Sequence, residues 1–193
     1  MINQTLISIF SVSGGPQGLH ITDKNFSNEV LEEEFIDCCY FNKVKLLNCS
    51  FNESEFLGVN FNECHFDNCQ FQNIIIRKSD FSNCTFKDCK FIDSELSPRA
   101  EFFRSLFLNS TFLNVDLSNS LFSDCEFVKL ILTDVIFKRT VLVNLKARNN
   151  IFRNLKFDRD YPLILFKSKV AFDLGESIKV IDSFHFEKEI QSD

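Results

Sequence analysis

Cysteine and histidine are the residues of this sequence best suited to chemistry, because a thiolate is a nucleophile and both side chains bind transition metals. Eight Cys and three His occur among 193 residues. Six of the Cys are separated by multiples of five residues, and a seventh joins the same frame after a one-residue shift: Cys39, Cys49, Cys64, Cys69, Cys84, Cys89 and Cys125. The Cys-x-x-Cys spacing of metal sites is absent. We therefore predict buried structural thiols, with a reactive thiol pair or a metal site as the alternatives.

The three histidines, His20, His65 and His185, are far apart in the chain. His65 follows Cys64, but adjacent residues of a strand point to opposite sides, so these two cannot act as nucleophile and base. No second group of metal ligands accompanies His185. The sequence therefore predicts no catalytic residue, no metal ligand and no cofactor.

The elements that must position these side chains follow a period of five residues. From Phe41 to Leu96 every fifth residue is apolar, and nine of these twelve residues are Phe. After a one-residue shift, a second series of twelve apolar residues starts at Phe102 and contains eight Phe. With 45% hydrophobic residues in the chain, such a run has odds of about one in 10^8 by chance. Neither a helix nor a strand has this period, so we predict a repeat architecture.

The period dictates a geometry for the backbone. Each large apolar residue and the small residue two positions before it must point inward, and the chain must turn every five residues. The turn needs a positive φ two residues after the large side chain, which Asn, Asp and Gly tolerate best. That slot holds Asn or Asp at fourteen positions: Asn48, Asn68, Asn73, Asn83, Asp88, Asp93, Asn109, Asn114, Asn119, Asp124, Asp134, Asn144, Asn149 and Asn154. Four such corners close a square coil of twenty residues, and successive coils stack at about 4.8 Å.

Runs such as Cys64-His65-Phe66-Asp67-Asn68 resemble the motif of the pentapeptide-repeat proteins. In that motif a small residue, Asp or Asn, Leu or Phe, a polar residue and Gly follow one another. The resemblance covers about residues 37–159, with Cys where Ala is common and Asn where Gly is common. It implies an all-β fold, a right-handed quadrilateral parallel β-helix, which is a pentapeptide-repeat solenoid with a short C-terminal cap.

Inside this β-helix we expect a ladder of Phe side chains. The predicted ladder includes Phe51, Phe61, Phe66, Phe71, Phe81, Phe86, Phe91 and Phe122. A core filled in this way encloses no pocket in which a substrate binds or a pKa is perturbed. We therefore predict that the protein is not an enzyme.

The five-residue repeat, where it begins and ends, divides the chain into three segments. Residues 1–36 are predicted to be a lead-in and a degenerate first coil, with a short strand over Leu6 to Phe10. Residues 37–159 form the β-helix, six coils or about 29 Å tall, with a one-residue slip at 97–101. Residues 160–193 have no five-residue frame, and we expect a C-terminal cap or dimerisation segment there.

Net charge restricts the class of partner. With 21 basic and 27 acidic residues the net charge is -6, so we expect no direct binding of nucleic acid, which requires a basic surface. No run approaches the 18 or so apolar residues of a membrane span, and the start lacks the pattern of a signal peptide. We therefore expect a cytoplasmic protein that does not contact a membrane. The charge is unevenly distributed: -7 over residues 19–97, +4 over 98–159 and -3 from residue 160.

Two outward surfaces are candidates for binding. Positions twenty residues apart stack in this fold, so the carboxylates of Glu53, Glu55, Asp93 and Glu95 are predicted to form an acidic edge about two coils tall. The simpler alternative is that these residues only keep an outward face solvated.

The second candidate is an apolar contact patch of Phe103, Leu121, Val141 and Val143, which point outward on one face. Leu113, Ile131 and Ile151 point outward on the opposite face. Because contiguous apolar surface usually marks a covered area, we expect the C-terminal segment, a partner or a second subunit to lie there.

We predict a non-catalytic, rigid protein-interaction scaffold in a bacterium, whose partner is another protein and whose C-terminal segment is a candidate for homodimer formation. The alternative follows from the resemblance. Some bacterial pentapeptide-repeat proteins mimic duplex DNA in size and charge, bind DNA gyrase or topoisomerase IV, and protect it from quinolones or peptide toxins. The acidic edge favours this alternative, whereas the basic C-terminal half favours the scaffold.

Overall fold

Four flat faces built from short parallel strands enclose the core of the protein. The structure is a computed structural model and describes residues 5–10, 17–157, 170–173 and 178–181. From residue 17 to 157 the chain winds as a right-handed quadrilateral parallel β-helix of about seven coils, which confirms the predicted fold class. Each coil contributes one segment to each face.

The strands of each face occur at regular intervals in the chain. Face 1 contains His20–Thr22, Tyr40–Asn42, Asn60–Asn62, Ser79–Ser82, Ala100–Phe103, Leu121–Ser123 and Val141–Val143. Face 2 contains Asn25–Ser27, Lys45–Leu47, His65–Asp67, Thr85–Lys87, Leu106–Leu108, Glu126–Val128, Lys146–Arg148, Val170–Asp173 and Ile178–Ile181. Face 3 contains Val30–Glu32, Ser50–Asn52, Gln70–Gln72, Lys90–Ile92, Thr111–Leu113, Ile131–Thr133 and Ile151–Arg153. Face 4 contains Phe35–Asp37, Glu55–Leu57 and Ile75–Arg77, then the single paired residues Glu95 and Asp116, then Ile136–Phe137 and Lys156–Phe157.

Parallel pairing with a fixed offset stacks equivalent side chains in columns. Gln70, for example, pairs with Ser50 on one side and with Lys90 on the other, twenty positions away in each direction. The column is therefore the unit in which an outward surface of this protein has to be described.

Every corner of the coil between residues 17 and 157 has a residue with positive φ. All fourteen Asn and Asp positions predicted from the sequence adopt φ values between 49° and 58°, so this prediction is confirmed. The remaining corners carry Gly18, Gly58 and twelve other residues, most of them charged. A non-glycine side chain in this conformation costs roughly 1 kcal/mol, which the repeated pairing of the coils offsets.

Phe side chains stack in columns inside the coil. Each of the eight predicted ladder residues is at most 5% exposed. The rings of Phe66, Phe86 and Phe107 stack with centroids 4.6 and 4.7 Å apart and with planes 3° and 6° from parallel. Rings of adjacent faces meet edge-on, as Phe86 and Phe102 do at 69°. Both arrangements suit the quadrupole of the ring.

Among the small inward-pointing residues, two positions before each large apolar residue, Ser and Cys make hydrogen bonds to the backbone. Ser79 Oγ lies 2.9 Å from the carbonyl oxygen of Arg77 and accepts a hydrogen bond from the Val59 N–H at 3.1 Å. Cys84 Sγ lies 3.4 Å from the carbonyl oxygen of Ser82. Cys at this slot therefore contacts the carbonyl of the preceding corner as Ser does, in addition to filling space.

The slip at 97–101 lies at the corner between faces 4 and 1. Ser79 pairs with Ala100, twenty-one positions later instead of twenty. The extra residue is inserted next to Pro98. In this coil face 4 consists only of the single paired residue Glu95. The later coils continue to stack on the earlier ones in spite of it.

Leu6–Phe10 forms a helix, so the strand predicted there is wrong. Leu6 and Phe10 are buried, and the Phe10 ring meets the Phe41 ring edge-on with centroids 6.2 Å apart. Residues four apart lie on one side of a helix, so both side chains point into the core together. No helix in the described part of the chain is long and apolar enough to cross a membrane.

The first coil, before residue 37, has regular strands and corners. With the six coils predicted for residues 37–159, the β-helix has about seven coils. In the first coil the positions of the small inward residues are occupied by Lys24, Glu29 and Glu34, whose charges would be costly to bury inside the rod. In the structure Lys24 is exposed and both Glu are partly exposed. These side chains lie at the end of the rod, where water reaches them.

The C-terminal strands extend face 2 beyond the last coil. Ala171 pairs with Lys146 in parallel, twenty-five positions earlier, and Ile178–Ile181 adds an antiparallel strand. Most of residues 160–193, the predicted cap or dimerisation segment, lies outside the described residues. The division of the chain at residues 37 and 160 stays a prediction.

Candidate functional site

The eight cysteines all lie among the described residues and form no disulfide; seven are buried and Cys38 is exposed. Burial raises the pKa of the Cys125 thiol to about 12. Cys38 Sγ lies 3.0 Å from Asp37 Oδ1, and this hydrogen bond raises the pKa of Cys38 above its ordinary value. Because neither environment favours the thiolate, neither thiol is activated as a nucleophile at neutral pH.

The histidines do not join the thiols in a reactive group. Cys64 is buried and its neighbour His65 is exposed, so the two side chains lie on opposite sides of the strand. His20 packs against Tyr40 with ring centroids 5.6 Å apart, and His185 lies outside the described residues. Within the part of the chain that the structure describes, no three His, Cys, Asp or Glu side chains are grouped to hold a metal ion.

The predicted acidic edge lies where faces 3 and 4 meet. Glu53 and Asp93 are exposed corner residues, and Glu55 and Glu95 stand on face 4. Between the last two, Arg77 Nη1 lies 3.5 Å from Glu55 Oε1 and its Nη2 lies 3.9 Å from Glu95 Oε1. The four carboxylates are thus brought together, but Arg77 offsets part of their charge. The sequence signal for these contacts is the position of Arg77, which follows Glu55 by 22 residues and so lies one coil further along the rod and two residues further along face 4.

Acidic and amide side chains occupy this corner along the whole rod. The acidic corner, as we name it, consists of Glu33, Glu53, Asn73, Asp93, Asn114, Asp134 and Asn154. Within it, Asn114 Nδ2 donates a hydrogen bond to Asp93 Oδ1 at 2.8 Å. An open groove of about 370 Å³ runs beside this corner on face 4, and its lining includes Ile75, Glu95 and Asp116.

The opposite edge of face 4 carries three basic corner residues, from Lys78 onward. The corner residues there are Gly18, Cys38, Gly58, Lys78, Arg99, Asn119 and Arg139, and we name Lys78, Arg99 and Arg139 the basic corner. Opposite charges are therefore separated across a face about 10 Å wide. Charge counted along the chain does not reveal this separation, which appears only when residues are arranged in columns of twenty.

The predicted apolar patch lies on face 1 of the last three coils. Leu121 pairs with Val141, while Phe103 and Val143 share the next column with one coil between them. Phe103 is 37% exposed, with the Arg104 guanidinium 4.6 Å above its ring. The other three residues are half-buried. The structure thus brings all four predicted residues to one face.

Face 3 carries a more exposed apolar surface in the same coils. Leu113, Ile131 and Ile151 are 40%, 38% and 44% exposed. Ile131 and Ile151 are paired neighbours, and Leu113 lies in the adjacent column. The C-terminal half therefore presents apolar side chains on two opposite faces.

Residues 21–98 match the family model described as a pentapeptide repeat region. These residues are a pentapeptide repeat region, and the β-helix that contains them has the pentapeptide-repeat fold. The coils that follow residue 98 keep the same corner geometry as far as Asn154. A comparison with curated protein sequences finds no significant match.

Two solved structures are among those that this chain matches. QnrB1, described as a plasmid-mediated fluoroquinolone resistance protein, is 11% identical, with 73% of this chain and 94% of that chain covered and a TM-score of 0.42. HetL, a pentapeptide-repeat protein involved in heterocyst differentiation regulation in the cyanobacterium Nostoc sp., is 9% identical, with 72% and 87% covered and a TM-score of 0.23. Similarity at this level says nothing about what the present chain binds.

Proposed function

We propose that this protein is a non-catalytic, rigid scaffold that binds another protein through its outer faces. The observation that carries the proposal is the distribution of apolar side chains. The inward slots of the described coils are already filled, yet apolar side chains recur outside them on faces 1 and 3 of the last three coils. Apolar surface that is not needed to fill the core usually serves a contact.

The apolar patch on face 1 is the surface we assign to the partner. Its four residues are held on strands, so their spacing is fixed before binding and little conformational entropy is lost in the contact. Arg104, which lies over the Phe103 ring, supplies a cation at the rim. Aromatic and Arg side chains of this kind are enriched among the residues that dominate binding energy.

The patch can be tested with a matched pair of variants. Phe103→Ser combined with Leu121→Ser removes its centre, and Leu47→Ser removes an apolar side chain that is 46% exposed on face 2, away from the patch. The wild type is first used to capture a partner from a bacterial lysate, and the partner is then purified. We expect the purified partner to bind the patch variant at least tenfold more weakly than the wild type, and to bind the control variant as tightly as the wild type. Equal binding by all three proteins excludes the patch, and the absence of any captured partner contradicts the scaffold.

The acidic corner supports a second candidate, mimicry of duplex DNA towards DNA gyrase or topoisomerase IV. Its column contains no basic residue from Glu33 to Asn154. Carboxylates spaced along a rod can replace phosphates in a basic groove, and such a contact weakens with salt. The test is inhibition of gyrase supercoiling by the purified protein, which Glu53→Lys with Asp93→Lys is expected to abolish. A wild-type protein that leaves supercoiling unchanged excludes this candidate.

A further inference from the structure

Face 4 carries apolar side chains among charged ones, between edges of opposite charge. Phe35 is 41% exposed there, and Leu57, Ile75 and Ile136 are half-buried in the adjoining coils. The acidic corner lies along one edge and the basic corner along the other. A surface of this kind fits a partner whose face has some apolar side chains and the reverse order of charged edges.

A second copy of the same chain has that reversed face. We propose that face 4 is a homodimer interface in which two rods lie side by side and parallel, related by a two-fold axis that runs along the rods. Rotation by 180° about such an axis exchanges left and right, so the acidic corner of each copy meets the basic corner of the other. The interface is isologous, and each charged contact therefore occurs twice.

Two pairs of oppositely charged residues stand at matching heights along the rod in this arrangement. Asp93 and Arg99 stand at the two ends of the same segment of face 4, before and after Glu95. A two-fold axis along the rod keeps every residue at its own height, so Asp93 of one copy faces Arg99 of the other. The same relation holds for Asp134 and Arg139, two coils further along.

The charges also exclude the antiparallel arrangement. A two-fold axis across the rods leaves left and right unchanged, so it places acidic corner against acidic corner and basic corner against basic corner. Like charges brought together in an interface cost several kcal/mol. Between the edges, Arg77 offsets part of the charge of Glu55 and Glu95 within one copy. The charged edges therefore determine the orientation.

The shape of face 4 accommodates the second copy. The open groove beside the acidic corner, about 370 Å³ in volume and lined by Asp93 and Glu95, lies opposite Lys78 and Arg99 of the other copy in this arrangement. The face is about 10 Å wide and about 29 Å long over its six segments from Phe35 to Ile136. This is smaller than a standard interface, so we expect a weak dimer that forms as protein concentration rises.

The inference goes beyond the proposed function and does not depend on it, because the apolar patch assigned to the partner lies on face 1. Its test is a charge exchange followed by sedimentation equilibrium from about 10 µM to about 1 mM protein. Lys78→Glu with Arg99→Glu gives a chain with two acidic edges, and Glu53→Lys with Asp93→Lys gives a chain with two basic edges. Each variant alone is expected to associate at least tenfold more weakly than the wild type, and an equimolar mixture is expected to regain the wild-type association.

The control has the same change of charge elsewhere on the rod. Lys45→Glu with Lys90→Glu alters exposed residues of faces 2 and 3 and is expected to dimerise like the wild type. Thermal unfolding of each variant, followed by circular dichroism, checks that the fold is intact. The inference is overturned by a wild type that stays monomeric at 1 mM, by charge variants that dimerise as the wild type does, or by a mixture that does not regain association.

Discussion

The rings of Phe66 and Phe86 stack with centroids 4.6 Å apart and planes 3° from parallel. On its other side Phe86 stacks on Phe107 at 4.7 Å. The Phe86 ring is therefore enclosed between two coils that are held in place by their own backbone pairing. Because each coil contacts only its neighbours, a defect at this ring weakens the connection between the two halves of the rod.

Replacement of Phe86 by Ala is expected to lower the free energy of unfolding by about 3–5 kcal/mol, because the rigid coils cannot collapse into the cavity. Phe86→Leu keeps part of the volume and should cost less. Chemical denaturation measures both changes. The control is Phe103→Ala, an outward position where we expect a change of about 0.5 kcal/mol or less. Similar losses at the two positions would contradict the stacked core.

Local rules made the core and the corners predictable from the sequence. Phe66 and Asn68 are identified by residue type and by their distance within five residues, and both properties are independent of distant parts of the chain. Backbone pairing then fixes the stacking of one coil on the next. The same rules predicted that Phe103 and Leu121 share an outward face, because outward positions follow from the same frame.

Features that depend on the ends of the rod or on long side chains were not predictable in this way. The segment Leu6–Phe10 fits a strand or a helix by composition, and the core that it covers decides between them. Glu29 and Glu34 are tolerated in inward slots only because they lie at the end of the rod. Arg77 reaches Glu55 and Glu95 in the coils on either side, a contact that depends on side-chain length as well as on the frame.

The corner conformation makes a prediction about β-branched residues. Asn68 has a φ of 52°, and its Nδ2 donates a hydrogen bond to Asn48 Oδ1 at 2.8 Å. Asn68→Val is expected to lower the free energy of unfolding by about 2 kcal/mol, since Val is strained at positive φ and makes no such bond. Asn60→Val is the control, because Asn60 is exposed on an extended strand of face 1 where Val is favoured. If both substitutions cost the same in chemical denaturation, the corner conformation is not the cause.

The single exposed thiol predicts the reactivity of the native protein. With an aromatic disulfide reagent at about pH 8, we expect one equivalent of thiol to react, at Cys38, and eight equivalents after unfolding. The rate should be lower than that of free cysteine and should rise with pH, because the raised pKa of Cys38 leaves less thiolate. Cys38→Ser should remove the native reaction entirely. More than one fast equivalent in the native protein would contradict the burial of the other seven thiols.

Burial of Cys125 predicts a loss of stability in alkali. Its pKa is raised from 9.0 to about 12 in the folded chain. Below pH 9 the thiol is protonated in both states and has no effect on pH dependence. Between pH 9 and about 12 the unfolded chain loses this proton and the folded chain keeps it, so ionisation favours unfolding. This thiol alone is expected to lower the free energy of unfolding by up to about 1.4 kcal/mol per pH unit in that range.

Other groups also titrate in alkali, so the comparison of two variants isolates the contribution of Cys125. Cys125→Ala is expected to be less stable than the wild type below pH 9, because it loses a buried thiol group. As the pH rises, this variant is expected to lose stability more slowly than the wild type. Cys38→Ala, at an exposed position, should follow the wild-type curve more closely. Chemical denaturation at intervals from pH 8 to pH 10.5 gives the three curves. A Cys125→Ala curve parallel to that of the wild type would show that the buried thiol does not resist ionisation, because its removal would then leave the pH dependence unchanged.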